Sequence, residues 1–223
     1  MKLTNLLPGE QVKSIFLGRD EDLDVILKKE FTNFPIIRMI QTHSDHHFFI
    51  DKDIYNQIRL NKNDKRTNQE EEHKEVVYLD DLDGVFTDQK GIVLVVKAAD
   101  CFPILFYHPS GIVGVVHAGR KGTEKHLIEK VTKYFKEEKN LDKGWIIWLG
   151  PRICNNCYQI DKETDQHYDL RSKNIEQIQS QFDGADNYAL DCEMCTAHQN
   201  DWFYSYRKEG KGVKMNYGLV ALR

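Results

Sequence analysis

Residues 91–122, GIVLVVKAADCFPILFYHPSGIVGVVHAGRKG, carry three short β-branched or aromatic runs in close succession. The runs 92–96, 104–107 and 112–116 are bounded by Gly, Pro, Asp and Ser, the punctuation of buried strands joined by tight turns. Two of these strands are expected to end in a metal-capable residue, Cys101 and His117. A thiolate and an imidazole on adjacent strands suit Zn²⁺, which needs one further protein ligand to make an open tetrahedral site. His43 is the leading candidate. In an extended segment His43, Asp45 and His47 would share a face, so His47 is its rival. A strand cysteine also packs as a small hydrophobe, and a histidine after a strand also serves as a turn residue. Spacing alone leaves both readings open.

At 223 residues the chain is expected to form a single domain, 1–223, around one sizeable core. The order of strand-like and helix-like runs indicates an α/β protein with mixed sheets, and no Gly-rich dinucleotide or phosphate-loop signature is present. Forty per cent hydrophobic and 30% charged residues describe a globular chain, and a formal charge of −4 argues against nucleic acid or an anionic membrane as partner. The expected partner is a small molecule. The first eight residues are too short and too polar for a signal peptide, and no apolar run approaches the ~20 residues of a membrane span. A cytoplasmic location is expected. Five cysteines without an export signal favour free thiols or metal ligands over a disulfide framework.

Outward from the central stretch, 22–31 reads as a helix with Leu23, Ile26 and Leu27 on one side, and 34–41 as a strand leading to His43. Residues 61–75 contain no apolar side chain and read as a solvated loop or a charged lid. Residues 124–138 form an amphipathic pattern with Leu127, Ile128, Val131, Tyr134 and Phe135 on one face. Its N-terminus, close behind residues 117–122, is the best anion-binding feature in the sequence. Residues 145–149 read as a strand and 161–182 as a helix with Ile175, Ile178 and Phe182 inward. Cys154-x-x-Cys157 and Cys192-x-x-Cys195, with His198 three residues on, keep a second metal open, beside packed free thiols or a redox pair.

Three segments in order, Gln41-Thr42-His43, Ala99-Asp100-Cys101-Phe102-Pro103 and His117-Ala118-Gly119-Arg120-Lys121-Gly122, resemble the laccase-domain family, also called YfiH-like or multicopper polyphenol oxidase-like. Asp83-Gly84-Val85-Phe86-Thr87-Asp88, Gly150-Pro151-Arg152-Ile153-Cys154-Asn155-Asn156-Cys157-Tyr158, Cys195-Thr196-Ala197-His198 and Phe203-Tyr204-Ser205-Tyr206-Arg207-Lys208-Glu209-Gly210 extend the likeness over 36–223. The chain departs from the family pattern at Arg120-Lys121, where Trp-Arg is usual, at Ser44 in place of Gly, and at His198 in place of Cys. The Thr-Arg-x-Gly-Gly segment usual near the family's N-terminus is not recognisable, so the N-terminal lobe is expected to be shortened or divergent.

The resemblance implies a layered α/β/β/α fold with the site at the sheet edges, and it decides for His43, with Cys101 and His117, as the metal ligands. It further implies a zinc-dependent purine nucleoside phosphorylase acting on adenosine, inosine, guanosine or methylthioadenosine, with adenosine deamination as a companion activity. Zinc is the expected metal, with copper the less favoured one, because the chain lacks the clustered His-x-His pairs of a multicopper oxidase. Phosphorolysis needs cations to orient an anion, and Arg120, Lys121 and Arg207 are the candidates. Asp100, beside the thiolate, is a candidate proton acceptor or a turn cap. Two other readings stand beside this one. Cys101 and His117 can act as nucleophile and base in a metal-independent hydrolase or amidase, for instance on a muropeptide-type amide. The altered Arg120-Lys121 pair also suits a binding module without turnover.

Overall fold

The computed structural model describes residues 1–60, 76–182 and 186–223. The charged stretch 61–75 lies outside the described residues. The first six-stranded sheet contains Lys2–Thr4 (β1), Val12–Leu17 (β2), Ile36–Ile40 (β3), Val76–Asp80 (β5), Val93–Ala98 (β7) and Asn216–Leu222 (β14). Its order is β1-β2-β14-β7-β3-β5. The second contains His47–Ile50 (β4), Gly84–Thr87 (β6), Phe102–His108 (β8), Ile112–Ala118 (β9), Ile146–Leu149 (β10) and Tyr188–Asp191 (β13), in the order β13-β10-β8-β9-β6-β4. Both sheets mix parallel and antiparallel pairs. Gln159–Asp161 (β11) and Gln166–His167 (β12) form a separate ribbon.

Alternation along the strands sorts the core into layers. All seven residues of β8 are buried. Phe102, Ile104 and Phe106 face Leu127–Glu138 (α4) and Leu170–Gln181 (α5), whereas Leu105 and Tyr107 face the first sheet. Along β9, Ile112, Val116 and Ala118 take the helix side and Val113 and Val115 the inter-sheet side. In the first sheet, Leu94 and Val96 of β7 meet that same inter-sheet layer. Val93 and Val95 turn outward to Leu23–Glu30 (α1). The result is the α/β/β/α sandwich that the family resemblance implies.

Local signals account for most boundaries. Asp22 caps α1, its carboxylate accepting from the amides of Asp24 and Val25 at 2.8 and 3.1 Å, and Lys28 and Lys29 sit in the last turn. The expected helix over 124–138 is divided: Arg120–Glu124 (α3) is a single short turn, His126 takes a left-handed conformation, and α4 begins at Leu127. The amides that open the long helix therefore lie beyond the short one, not beside residues 117–119. The helix expected over 161–182 begins only at Leu170, capped by Asp169. The preceding residues form the β11–β12 ribbon, because 159–167 lacks an apolar stripe to bury. His43 has φ +61, which ends the extended run and prevents His43, Asp45 and His47 from sharing a face. The first two of the three runs, joined by the tight turn at residues 99–101, do not pair with each other, since β7 and β8 belong to different sheets.

Close packing in the helix-side core depends on one glycine. A Cβ at Gly114 on β9 would stand 1.9 Å from Cδ1 of the buried Phe86 ring. Gly114→Ala is expected to cost about 1–3 kcal/mol through overpacking, seen as a lower urea midpoint at unchanged slope. An unaltered midpoint would mean that the Phe86 ring has room to retreat.

Candidate metal centre and substrate cleft

The chain crosses from one sheet to the other in three residues, Ala99, Asp100 and Cys101, and that crossing positions the site. Asp100 has φ +87, and its carboxylate holds the turn. Oδ1 accepts from Thr196 Oγ1 at 2.6 Å and Ser205 Oγ at 2.7 Å, and Oδ2 accepts from the Arg207 amide at 2.6 Å. Its backbone carbonyl accepts from the Ile153 amide at 2.9 Å. Cys101 follows directly, at the start of β8.

His117 reaches the same point from β9, where it pairs with Pro103 across the ladder and continues the inter-sheet face of Val113 and Val115. Its Nδ1 is 2.7 Å from Oδ1 of the fully buried Asp83, so its Nε2 faces the site. Asp83 Oδ2 accepts from the Ser44 amide at 2.6 Å and hydroxyl at 2.8 Å, and from the Thr42 amide at 3.2 Å. One carboxylate therefore orients His117 and fixes the loop that carries His43. His43 Nε2 stands 3.6 Å from Cys101 Sγ, and the His43 and His117 rings meet edge to face at 4.9 Å.

The ligand atoms of His43, Cys101 and His117 all lie within 4.8 Å of one another. Three features fit this set to a metal ion. The donors are two imidazoles and a thiolate, suited to a borderline-soft cation. His117 has the carboxylate behind it that metal-bound histidines commonly carry. Gly119 leaves the space they need: a Cβ there would lie 2.6 Å from His43 Cδ2 and 3.0 Å from Cys101 Sγ. His47, the sequence rival, is elsewhere. Its ring packs on Tyr134 at 5.4 Å, and burial pushes it down to about 4.

Charges within the cluster offset the cost of burial. Burial by itself pushes the Cys101 thiol up, but the His117 charge and hydrogen bonds with both imidazoles outweigh it and bring the thiol down to about 6. Burial by itself pushes His117 down, and the opposing Cys101 and Asp83 charges raise it to about 9. Burial opposes ionisation of Asp83 as well, and His117 and Ser44 overcome it to hold the carboxyl below its usual range. The Cys101 thiol and the His117 imidazole thus favour each other's charged forms, and the thiolate is the form in which cysteine binds a metal.

These residues line one side of a cleft of about 640 Å³. Gln41, Lys97, Ile153, Tyr158, Tyr206, Arg207 and Met215 are among the residues that complete it. Gln41 exchanges two hydrogen bonds with the Lys97 backbone, at 2.8 and 3.0 Å, and so extends the contact of β3 with β7 beyond the ladder. Of the three cations expected from sequence, Arg207 lines the cleft, with its guanidinium 5.7 Å from the Tyr158 ring and donating to the Gln159 carbonyl at 2.7 Å. Arg120 pairs with Glu124 at 3.2 Å and does not line the cleft, although its charge acts on Tyr158. Lys121 is exposed and does not line the cleft. Tyr158 sits among these groups. Burial and the Cys101 charge raise its hydroxyl pKa, while Arg120 and Arg207 pull the other way. The sequence reading assigned Tyr158, Lys97 and Asp83 no role; Asp83-Gly84 and Cys157-Tyr158 marked their places without indicating what they touch.

Replacing Asp83 tests whether this geometry is built for a metal. Asp83→Asn keeps the volume but removes the charge behind His117 and one acceptor from Ser44 and Thr42. Metal affinity is expected to fall about 10- to 100-fold, measured by competition with a chromogenic chelator, with far-UV circular dichroism unchanged. Equal affinity in the variant would detach Asp83 from metal binding.

Comparison with known proteins agrees with this geometry. A family model described as multi-copper polyphenol oxidoreductase laccase matches residues 25–193. The chain is 32% identical to purine nucleoside phosphorylase Cj1217c of Campylobacter jejuni, over 68% of this chain and 74% of that protein. It is 26% identical to purine nucleoside phosphorylase YlmD of Bacillus subtilis, over 93% of this chain and 81% of that protein. Among solved structures, the hypothetical protein YfiH of Bacillus licheniformis superposes with a TM-score of 0.74 at 18% identity, over 96% of this chain and 93% of that one. YlmD from Geobacillus stearothermophilus gives 0.72 at 18% identity over the same shares; at such identity both show the fold alone. With the family match spanning most of the chain and the two-sheet sandwich shared, this protein belongs to the multi-copper polyphenol oxidoreductase laccase family.

Proposed function

We propose that the protein is a zinc-dependent purine nucleoside phosphorylase, with adenosine, inosine, guanosine or methylthioadenosine as substrate and water-dependent deamination of adenosine as a second activity at the same site. The observation that carries this reading is the convergence of His43, Cys101 and His117 at the wall of a cleft that also presents Arg207 and Tyr158. The names of the Campylobacter and Bacillus relatives support it. Three protein donors leave a coordination position open, and a metal held there supplies Lewis acidity toward a substrate oxygen or water.

In phosphorolysis a phosphate oxygen forms a bond to the anomeric carbon of the ribose as the bond from that carbon to the purine nitrogen breaks. The products are the ribose 1-phosphate and the free base, which takes up a proton. The protein's own part is orientation. Arg207, beside the Tyr158 ring, supplies the charge that fixes the phosphate, Arg120 adds to it from α3, and the Tyr158 ring offers an apolar face. Asp100 acts as a positioning residue, because its two oxygens already serve three donors, and these place Arg207 at the cleft. Lys121, exposed on α3, has the least part in anion binding.

A second reading is favoured by one observation. Cys101, His117 and Asp83 also stand in the order nucleophile, base and orienting carboxylate, and the lowered thiol pKa would serve a metal-free Cys/His hydrolase. Metal content separates the two. Under the phosphorylase reading, Cys101→Ala loses one equivalent of zinc by elemental analysis, and wild-type Cys101 resists alkylation by iodoacetamide until a chelator is added. Rapid alkylation of Cys101 in protein as purified, with no metal difference between wild type and variant, would favour the hydrolase.

The anion site has its own test. Arg207→Met and Arg120→Met are each expected to lower phosphate-dependent kcat/KM about tenfold to a hundredfold, the loss of one charge-assisted contact of ~1.5–3 kcal/mol, while deamination changes little. Lys121→Met should leave both near wild type. Equal losses of the two activities in the arginine variants would remove phosphate binding from their role.

A further inference from the structure

A second group of metal-capable side chains lies outside the cleft. Cys154, Cys157, Cys195 and His198 bring their ligand atoms within 4.8 Å of one another, and among the described residues this and the His43 cluster are the groups of this kind. Cys157 Sγ is 3.3 Å from His198 Nε2, and Cys154 Sγ is 3.8 Å from His198 Nδ1. A tetrahedral zinc with Zn–S near 2.3 Å and Zn–N near 2.0–2.1 Å has ligand-to-ligand edges of roughly 3.5–3.8 Å. Only one imidazole nitrogen can bind the ion; with Nε2 as the donor its separation from Cys157 Sγ already approaches that size, and the other ligand atoms, all within 4.8 Å, need only a small contraction.

We infer that Cys154, Cys157, Cys195 and His198 form a closed, structural zinc site, distinct from the open centre at His43, Cys101 and His117.

The backbone is shaped for it. Cys154-x-x-Cys157 is a 3₁₀ turn in which the Cys157 and Tyr158 amides donate to the Cys154 carbonyl at 3.1 and 3.0 Å. Cys195-x-x-His198 is the matching turn, closed by the Gln199 amide on the Cys195 carbonyl at 2.8 Å. A short parallel bridge between Arg152 and Cys195 sets the two turns side by side. The Cys154 amide donates to Cys195 Sγ at 3.3 Å, the kind of backbone contact that orients a metal-binding sulfur. Cys192, which the sequence spacing paired with Cys195, is not in the cluster; it packs against the inter-sheet core and its amide donates to the Leu149 carbonyl. His198 takes its place.

The two turns are tied to the rest of the fold by polar contacts, Arg152 with Asp191, and Thr196 and the Ile153 amide with Asp100, but their apolar packing is small. Their own apolar cluster consists of Ile153, Cys195 and Ala197, with Cys154, Cys157 and Tyr158 packed alongside. A core this small is characteristic of segments stabilised by a metal, whose binding free energy becomes folding free energy as the thiols release their protons to solvent. A disulfide would use two of the thiols and leave a third thiol and the imidazole facing it. The site also supports the cleft, because Ile153 and Tyr158 line it and Thr196 bonds Asp100.

The test is zinc stoichiometry by elemental analysis on protein purified and held in reductant. Removing this site through Cys154→Ser/Cys157→Ser should lower the content by one equivalent, and Cys192→Ser should not. The Cys101→Ala variant should keep one equivalent, and on cobalt substitution it should show thiolate-to-cobalt charge transfer from three sulfurs. That arm decides the matter even where the double variant fails to fold. Wild type with two zinc ions supports both sites. If wild type and Cys101→Ala each hold one and the double variant none, the second site stands and the metal of the proposed phosphorylase falls. Equal content in wild type and a folded Cys154→Ser/Cys157→Ser protein, or a metal-free Cys101→Ala, would overturn the inference.

Discussion

The carboxylate of Asp100 is the constraint on which the site depends. It binds the Thr196 hydroxyl, the Ser205 hydroxyl and the Arg207 amide, while its own carbonyl takes the Ile153 amide. Three stretches distant in sequence, around residues 153, 196 and 205–207, are thereby fixed to the short crossing between the two sheets. The buried acceptor is fully satisfied, and three donors to one carboxylate are strong enough to hold a positive φ at a residue other than glycine. Loss of this charge would leave two hydroxyls and an amide without a partner in a dry interior, a large penalty for a single side chain.

Sheet alternation does the rest. Period-two registry sends the same face of β9 first into the inter-sheet core and then, at its last turn of the pleat, to the cleft as His117. Asp83 completes the arrangement from below by gripping His117 with one oxygen and the His43 loop with the other. Two buried carboxylates therefore divide the work, Asp83 holding His117 and the His43 loop at the candidate metal centre and Asp100 holding the wall of the cleft that carries Arg207.

The departure at Arg120-Lys121 has a structural counterpart. Arg120 heads the short helix α3, one position earlier than the family's usual arginine, and its charge acts on Tyr158 although it does not itself line the cleft. Arg207 is held at the cleft through the Asp100 clamp, with its guanidinium 5.7 Å from the Tyr158 ring.

Much of the framework was legible in the chain. Short β-branched runs between Gly, Pro and Asp marked β7, β8 and β9, and Asp22 followed by Leu23, Ile26 and Leu27 marked α1, because strand burial and helix capping are local effects. Cys101 and His117 could be named from their positions at strand ends, and the ordered resemblance to relatives selected His43. What the sequence could not determine was which sheet each strand would join. β7 and β8, adjacent in the chain, lie in different sheets, and only that separation makes the crossing at Asp100 a wall of the cleft. The same holds for the cysteines: spacing paired Cys192 with Cys195, but an irregular loop has no fixed period, and the turn that closes on Gln199 brings His198 to the sulfurs instead. Local chemistry decided the elements, and long-range packing decided which of their ends would meet.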